Sequence, residues 1–284
     1  MKNQNWLDYS TLTNFMRCPR MHYWRMHHHV TTDGIALKFG KAFHDGLAVW
    51  NMTKDPVASI LKFKEAMKDI TEEDPKRNLT SGVEALLAYF ERWKDEEYKT
   101  IDVEVGFAIE LESRHGAFTF IGKIDRIMTS PSMGIGIMEH KTTTIAGDGW
   151  LNRADPNLQM DGYITALSTL YGKRPFGGVL DVIHIHEKPV SRKPAMRIIK
   201  TKWDVDDWSA NMASWYDKII DCDEQNFHPK NTEICRPIIG YSCNYQELCS
   251  LYPNPYGLEE IIVPGKYIIQ PWHPLEHIEI KGGV

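Results

Sequence analysis

The spacing of apolar residues changes near residue 100, and this change limits the folds that the chain can adopt. Before that point apolar residues recur at helical spacing, and after it they alternate within short segments bounded by glycine, serine and proline. Helices are predicted in a first segment capped by Ser10 and at residues 40–51, 56–70, 79–97, 157–171 and 205–222. Strands are predicted at residues 101–112, 117–129, 135–140, 178–186 and 196–203. This order of elements predicts an α/β fold whose first three strands form an antiparallel meander.

No feature of the sequence divides the chain into separate domains. It contains no glycine- or serine-rich linker, no internal repeat and no low-complexity tract. We therefore predict a single domain over residues 1–284. Within it, residues 1–100 form a mainly helical part, residues 101–222 an α/β core, and residues 223–284 a cysteine-rich closing segment with a tail.

The composition excludes several classes of protein. With 42% hydrophobic and 25% charged residues, the chain can bury a sizeable core, which excludes a disordered or fibrous protein. The 33 Lys and Arg against 38 Asp and Glu give a net charge of −5, so there is no strongly basic coat. The sequence has no apolar run of membrane-spanning length and no signal-peptide pattern at its N-terminus. We expect a soluble, cytoplasmic protein without a membrane partner.

Two predicted strands carry acidic residues that can meet. Asp125 lies in the second strand, and Glu139 and Lys141 lie in the third. Side chains alternate along a strand, so Glu139 and Lys141 point to one face, and the turn before them can bring Asp125 alongside. Adjacent carboxylates repel unless a cation lies between them, and hard oxygen ligands suit Mg²⁺ or Mn²⁺. Taken alone, the pattern is more typical of a solvated sheet face with a surface salt bridge than of a functional site.

Two helical patterns accompany these strands. Gly40 and His44 are four residues apart in one predicted helix, and Gln159 and Tyr163 share a face of another. In isolation, a histidine in an amphipathic helix is usually structural, and a pair such as Gln159 and Tyr163 is usually an ordinary amphipathic pair. Their meaning depends on the residues that occur with them.

The residues with chemical potential follow one another along the chain in this order: His44, Asp125, Glu139, Lys141, Gln159 and Tyr163. This order resembles the PD-(D/E)XK nuclease superfamily, and within it the RecB-like exonuclease branch. That branch includes the AddB nuclease domain and the CRISPR-associated iron–sulfur exonucleases. The resemblance extends from the Ser10 helix to Cys249, over nearly the whole chain.

The resemblance implies a restriction-endonuclease-like fold, with a mixed central sheet flanked by helices, and a metal-dependent DNA nuclease. It implies three metal ligands, which are His44, Asp125 and Glu139. It implies five catalytic residues, which are Asp125, Glu139, Lys141, Gln159 and Tyr163. The expected cofactor at this site is Mg²⁺ or Mn²⁺, and a histidine ligand suits Mn²⁺ better.

The same resemblance implies an exonuclease that acts on single strands or duplex ends of DNA in repair, recombination or DNA degradation. A helicase or recombination partner is compatible with such a role. The alternative is a non-catalytic DNA-binding or scaffolding module with a structural metal–cysteine site. The complete set of His44, Asp125, Glu139 and Lys141 argues against that alternative, because a module without catalysis has no need of all four.

Five cysteines, an odd number in a chain without a secretory signal, argue against a disulfide framework. Cys235, Cys243 and Cys249 are close together in sequence, and Cys18 precedes a proline as in the opening helix of the RecB-like branch. By this resemblance the four bind a [4Fe–4S] cluster. Zn²⁺ bound by four thiolates and reduced structural cysteines are the alternatives. The late spacing, C-x₇-C-x₅-C, departs from the commonest family spacing, C-x₂-C-x₅-C, and Cys222 is interpreted as a buried free thiol.

Two further features are interpreted as less informative. The consecutive histidines His27, His28 and His29 cannot face one ion from a helix, which favours a solvated or capping cluster over a metal site. Glu104 lies in the first predicted strand and could approach the carboxylates, but a surface position is the favoured interpretation.

Overall fold

The computed structural model describes residues 5–32, 34–70, 73–145, 156–185, 196–198, 201–235, 242–258, 260–276 and 280. The helices are α1 (Tyr9–Arg17), α2 (Pro19–Met26), α3 (Ile35–Thr53), α4 (Pro56–Met67), α5 (Leu79–Trp93), α6 (Leu158–Tyr171), α7 (Lys202–Glu224) and α8 (Gln246–Leu251). The strands are β1 (Trp6–Asp8), β2 (Val30–Thr32), β3 (Lys99–Ser113), β4 (Gly116–Ser130), β5 (Gly134–Thr143), β6 (Gly178–His184), β7 (Met196–Ile198) and β8 (Tyr267–Ile269). None of the helices in the described ranges combines the length and the apolar character that a membrane span requires.

The main sheet is mixed, as the resemblance implies, and helices flank it. Its strand order is β1-β4-β5-β6-β7, and β3 also pairs with β4. Strand β5 pairs antiparallel with β4 and parallel with β6, while β7 pairs antiparallel with β6. Because β5 has a paired strand on each side, its side chains are held in a fixed register.

The chain forms two compact units. The first is drawn from Met1–Asp33, Ala108–Ile121 and Ser209–His277, and the second from Gly34–Phe107, Gly122–Trp208 and Ile278–Val284. The single-domain organisation and its three parts remain a prediction.

The core of the second unit lies where α3, α4 and α5 pack together and against the sheet. Phe39, Phe43 and Phe63 are fully buried there and contact one another through their rings. Gly82 of α5 lies against Phe63, and a Cβ atom at this glycine would come within 2.1 Å of the phenyl ring. The close approach of α5 to α4 therefore requires a glycine at this position. This packing fixes α3, the helix that carries His44.

The first unit has a smaller core of its own. It combines Cys18, Met21 and Trp24 with Cys243 and Leu248, all of which are buried. Strands β2 and β8 pair antiparallel beside it. Residues from the two ends of the described chain therefore share one hydrophobic cluster.

Two predicted boundaries were wrong. Helix α1 is capped by Asp8 and not by Ser10: the Asp8 carboxylate accepts a hydrogen bond from Thr11 N at 2.6 Å, and Ser10 Oγ donates to the same oxygen. A carboxylate is also favoured near the positive end of a helix. The strand predicted at residues 196–203 is shorter, because α7 already begins at Lys202. The end of the strand predicted at residues 178–186 lies outside the described residues.

Candidate active site

Strands β4 and β5 bring the predicted carboxylates together in the second unit. The register pairs Arg126 with Met138, so Asp125 and Glu139 are the next residues on the two antiparallel strands. Glu139 is only 2% exposed and Asp125 is also buried. Two carboxylates therefore lie side by side in a place where water can screen them little.

Helix α3 supplies the histidine. His44 Nδ1 lies 3.3 Å from Asp125 Oδ1 and 3.9 Å from an oxygen of Glu104. The ligand atoms of His44, Glu104 and Asp125 all lie within 4.8 Å of one another, an arrangement that can hold a metal ion.

Glu104 is the residue that sequence reasoning placed wrongly. It has a positive φ of 51° within β3, which is uncommon for a residue other than glycine. Its carboxylate forms ion pairs with His44 and Lys123, and the structure places it in the acidic group and not on a plain surface. The only available sequence signal was a glutamate between two valines in a predicted strand, and that signal does not predict a positive φ.

The glutamine and the tyrosine of α6 meet this group through Glu139. Gln159 Nε2 lies 2.8 Å from Glu139 Oε1 and 3.0 Å from the Tyr163 hydroxyl. Lys141 Nζ lies 2.6 Å from the same Glu139 oxygen. Glu139 Oε1 thus accepts two hydrogen bonds, whereas its Oε2 is buried and has no hydrogen-bond partner in the structure.

The charged side chains of this group strongly shift one another's pKa values. Burial raises the pKa of Glu139 to about 7, and the neighbouring Asp125 carboxylate adds to this effect. Burial opposes ionisation of Asp125 as well, but His44 and His140 hold its pKa well below the ordinary range. Burial alone would lower the pKa of His44, but Asp125 and Glu104 raise it to about 9. The group therefore concentrates negative charge that a cation can neutralise.

A second layer of residues supports Asp125. The backbone N–H of His140 donates a hydrogen bond to Asp125 Oδ2 at 2.8 Å. On its other side, His140 Nε2 lies 2.9 Å from the Tyr89 hydroxyl, which donates to Asn51 Oδ1 at 3.2 Å. These three partners are buried, so they fix the strand segment that carries Asp125 and Glu139.

In a comparison with family models, the model of the PD-(D/E)XK nuclease superfamily matches residues 7–250. The chain belongs to this superfamily. Membership makes it a nuclease by family, with DNA as the substrate that the family implies. A comparison with curated proteins gives no significant match.

A solved structure agrees with the fold of this PD-(D/E)XK chain. A crystal structure from Eubacterium rectale, of a protein provisionally called an exonuclease, matches with a TM-score of 0.51 and 13% sequence identity. The match covers 87% of this chain and 93% of the other. The structure of SSO0001 covers 78% of this chain and 77% of its own, at 12% identity and a TM-score of 0.34, which is too low to support an argument.

The donor set of this PD-(D/E)XK site fits a divalent metal such as the Mg²⁺ or Mn²⁺ that the superfamily uses. Its carboxylate oxygens are hard ligands, His44 adds a nitrogen, and the unpartnered Oε2 of Glu139 is a buried oxygen in need of a cation or a donor. That His44, Asp125 and Glu139 bind the metal remains a prediction.

The four cysteines of the predicted cluster lie in the first unit. Asn231 N donates to Cys18 Sγ at 3.2 Å, Trp24 Nε1 donates to Cys249 Sγ at 3.2 Å, and Cys243 N donates to the Cys235 carbonyl at 3.3 Å. All the cysteines in the described ranges are free thiols.

The thiols of the cluster also affect one another electrostatically. Burial raises the pKa of the Cys243 thiol, and the nearby Cys235, Cys18 and Cys249 raise it further. The structure therefore brings the early cysteine to the three late ones, and the group they hold remains a prediction.

Proposed function

We propose that the protein is a Mg²⁺- or Mn²⁺-dependent DNA exonuclease. The observation that carries this proposal is the position of Glu139. One of its oxygens accepts hydrogen bonds from Lys141 and Gln159, and the other is buried without a partner beside Asp125. A solvated sheet face would not bury such an oxygen, because an unpartnered buried acceptor costs about 1–3 kcal/mol.

Each residue of the site has a role in this proposal. Asp125 and Glu139 hold the metal, with His44 and Glu104 as further ligands. The chemistry that such a metal supplies is Lewis-acid activation of water and of the scissile phosphate. Lys141 places its positive charge where negative charge grows on the phosphoryl oxygens, and this contribution belongs to the transition state.

Gln159 and Tyr163 orient the other groups. The Gln159 amide bridges Glu139 and the Tyr163 hydroxyl, so it fixes the rotamer of the glutamate. The phenol ring of Tyr163 packs edge-on against Phe107, with 5.4 Å between ring centroids, which holds the hydroxyl in place. A hydroxyl and an amide held in this way can also contact a DNA phosphate.

For the cysteine group we propose a [4Fe–4S] cluster, with Zn²⁺ as the alternative. Four thiolates can hold either group, so thiolate chemistry alone does not separate the two. The RecB-like residue pattern is what favours the iron–sulfur cluster. The cluster would hold Cys18 and the three late cysteines together.

Exonuclease action, in preference to internal cleavage, is supported by the RecB-like residue pattern. The provisional name of the structural neighbour from Eubacterium rectale agrees with it. A role in DNA repair, recombination or degradation, with a helicase or recombination partner, is the setting in which such an activity is used.

The test is degradation of end-labelled DNA by the purified chain with Mg²⁺, with Mn²⁺ and with chelator. Linear single strands and blunt duplexes should be degraded, whereas circular DNA of the same sequence should survive. Cleavage should also fall steeply with added salt, because phosphate contacts release counterions on binding. Cleavage of the circles would contradict the exonuclease. DNA binding without any cleavage would favour a scaffolding module instead.

A further inference from the structure

A second group of metal-ligand side chains lies in the first unit, and the nuclease site does not use it. His27 Nε2 lies 2.9 Å from Asp223 Oδ1, and His228 Nε2 lies 3.0 Å from the same oxygen. The ligand atoms of all three residues lie within 4.8 Å of one another. The group takes one histidine from the consecutive run at residues 27–29 and adds two residues from about 200 positions further along the chain.

The backbone holds these residues in place before any ligand binds. His27 is the C-cap of α2, and Asp223 lies in the last turn of α7. Arg20 Nε donates to the His228 carbonyl at 3.0 Å, and His228 N donates to the Tyr256 hydroxyl at 2.5 Å. Ligands fixed by such contacts lose little freedom when they bind a metal.

The electrostatics of the group favour a cation. The C-terminal ends of helices carry partial negative charge, and both α2 and α7 end here. The last turn of α7 has no basic residue, and Arg25 in the last turn of α2 donates to the Gln270 carbonyl and lies over the Trp272 ring. Asp223 adds a carboxylate between these two helix ends.

Burial leaves polar atoms of this group without partners. The His228 side chain is fully buried, and its Nδ1 atom has no hydrogen-bond partner in the structure. The ring of His22, also buried, stacks near that of His228 with 6.3 Å between centroids, and its Nε2 atom has no partner either. The Asp223 carboxylate and the imidazoles of His27 and His228 would suffice for a hydrogen-bonded network. The imidazole of His22 is an additional buried polar group, and burying it without a hydrogen bond costs free energy.

We propose that His27, Asp223 and His228 form a binding site for a divalent cation of the Zn²⁺ class. Nitrogen and carboxylate donors at Zn–ligand distances of about 2.0–2.2 Å stand about 3.3–3.5 Å apart in a tetrahedron. The observed separations of 2.9 and 3.0 Å need only a small widening to reach this geometry. His27 and Asp223 are 19% and 22% exposed, so the cation can enter from solvent and keep a water ligand.

A similar group nearby in sequence provides a matched control. His115, Asp221 and Glu224 also lie within 4.8 Å of one another, but Arg114 already neutralises Asp221 with two contacts of 2.6 and 2.7 Å. Asp221 is two residues before Asp223 on the same helix, and its side chain is 38% exposed. The Asp221→Asn substitution therefore changes the same residue type in the same helix without touching the proposed site.

The experiment is a titration of the full-length chain with Co²⁺ after chelator treatment, followed by visible absorption and by metal analysis. Nitrogen and oxygen ligands give weak visible bands, whereas thiolates give intense near-ultraviolet bands, so the cysteine group is distinguished in the same spectrum. The parent and Asp221→Asn should bind one Co²⁺ more per chain than Asp223→Asn and His228→Gln. Circular dichroism checks that each variant is folded.

His27→Gln provides a variant that should fold, because His27 is partly exposed and a glutamine amide can still donate to Asp223. It should bind Co²⁺ at this site at least tenfold more weakly than the parent. In parallel, Zn²⁺ should raise the melting temperature of the parent and of Asp221→Asn more than that of His27→Gln. Equal cobalt content and equal zinc response in the parent, Asp223→Asn and His27→Gln would overturn the proposal.

Discussion

Two histidines, one in each unit, differ in which protonation state their surroundings favour. In the nuclease site, neighbouring carboxylates overcome the effect of burial and raise the pKa of His44 to about 9. In the first unit, burial dominates and lowers the pKa of His22 to about 3, although Asp223 opposes it. The carboxylates around His44 therefore favour its charged form, whereas the burial of His22 favours its neutral form.

The two regions also differ in how far apart their residues lie along the chain. The hydrogen bonds around Glu139 join residues 2 and 20 positions apart. Those that hold α2 to the C-terminal segment join residues 208 to 245 positions apart. The entropy cost of closing a long loop rises only with the logarithm of its length, so a few strong bonds can hold such a contact. We therefore expect substitutions around Glu139 to affect catalysis, and substitutions between α2 and the C-terminal segment to affect stability.

The largest effect should come from Lys141→Ala. Its positive charge acts mainly in the transition state, so the rate of DNA cleavage should fall by about 10²–10³-fold. The melting temperature should fall only moderately, because the buried Glu139 carboxylate keeps its hydrogen bond from the Gln159 amide. Cleavage rates and thermal melts of Lys141→Ala and of Lys94→Ala, an exposed lysine paired with Glu91, measure this. Parent-like turnover in Lys141→Ala would contradict its catalytic role.

Cys18→Ser should show the opposite result, with a large fall in melting temperature and little change in the cleavage rate. If Cys18 binds one group with the three late cysteines, its loss should remove iron and lower the melting temperature by on the order of 10 °C. Cys222→Ser is the control, because Cys222 lies in α7 and outside this cluster. Iron, sulfide and zinc analysis together with thermal melts decide the outcome. Full metal content in Cys18→Ser would mean that the late cysteines bind their group with another ligand.

Much of the nuclease site could be predicted from the sequence because strands and helices are regular. The two-residue period of a strand places Glu139 and Lys141 on one face, and the helical period does the same for Gln159 and Tyr163. Glu104 was misplaced because its positive φ is a local departure from that regularity. The periodicity of strands and helices therefore predicts side-chain positions only where the backbone geometry is regular.

The contacts of the first unit were harder to predict. From the sequence alone, the run at residues 27–29 is interpreted as a solvated or capping cluster, because three consecutive histidines cannot face one ion from a helix. Asp223 and His228, the residues that contact His27, lie about 200 positions further along the chain. No local sequence pattern connects them to His27. The cap of α1 shows the same limit on a small scale, since Asp8 and Ser10 were both suitable and only the geometry favours Asp8.

The stability of the protein should fall in acid through His22. The pKa of His22 is near 3 in the folded protein and near 6.5 in the unfolded chain. Between these values the unfolded chain binds the extra proton, so stability falls as the pH falls, by on the order of 1 kcal/mol per pH unit. Denaturant unfolding of the parent and of His22→Gln from pH 7 to pH 4 measures this. The same slope in both proteins would show that another group is responsible, and His115→Gln, at the surface, is the control.

The smallest effect should come from Tyr89→Phe, which tests whether the support behind Asp125 matters for function. The lost hydroxyl leaves His140 Nε2 and Asn51 Oδ1 without this buried partner, so some stability is lost in any case. Because Tyr89 acts on the site only through His140, we expect a rise of a few-fold in the Mg²⁺ concentration that gives half-maximal cleavage. The rate at saturating Mg²⁺ should stay within about tenfold of the parent, as for the loss of an outer-shell partner.

Tyr252→Phe is the control for this prediction. It removes a hydroxyl that donates to the Ile262 carbonyl in the other unit, so it should lower stability without changing the Mg²⁺ dependence. If the two variants have the same Mg²⁺ dependence, Tyr89 is a core residue only, and the nuclease site depends on its strands alone.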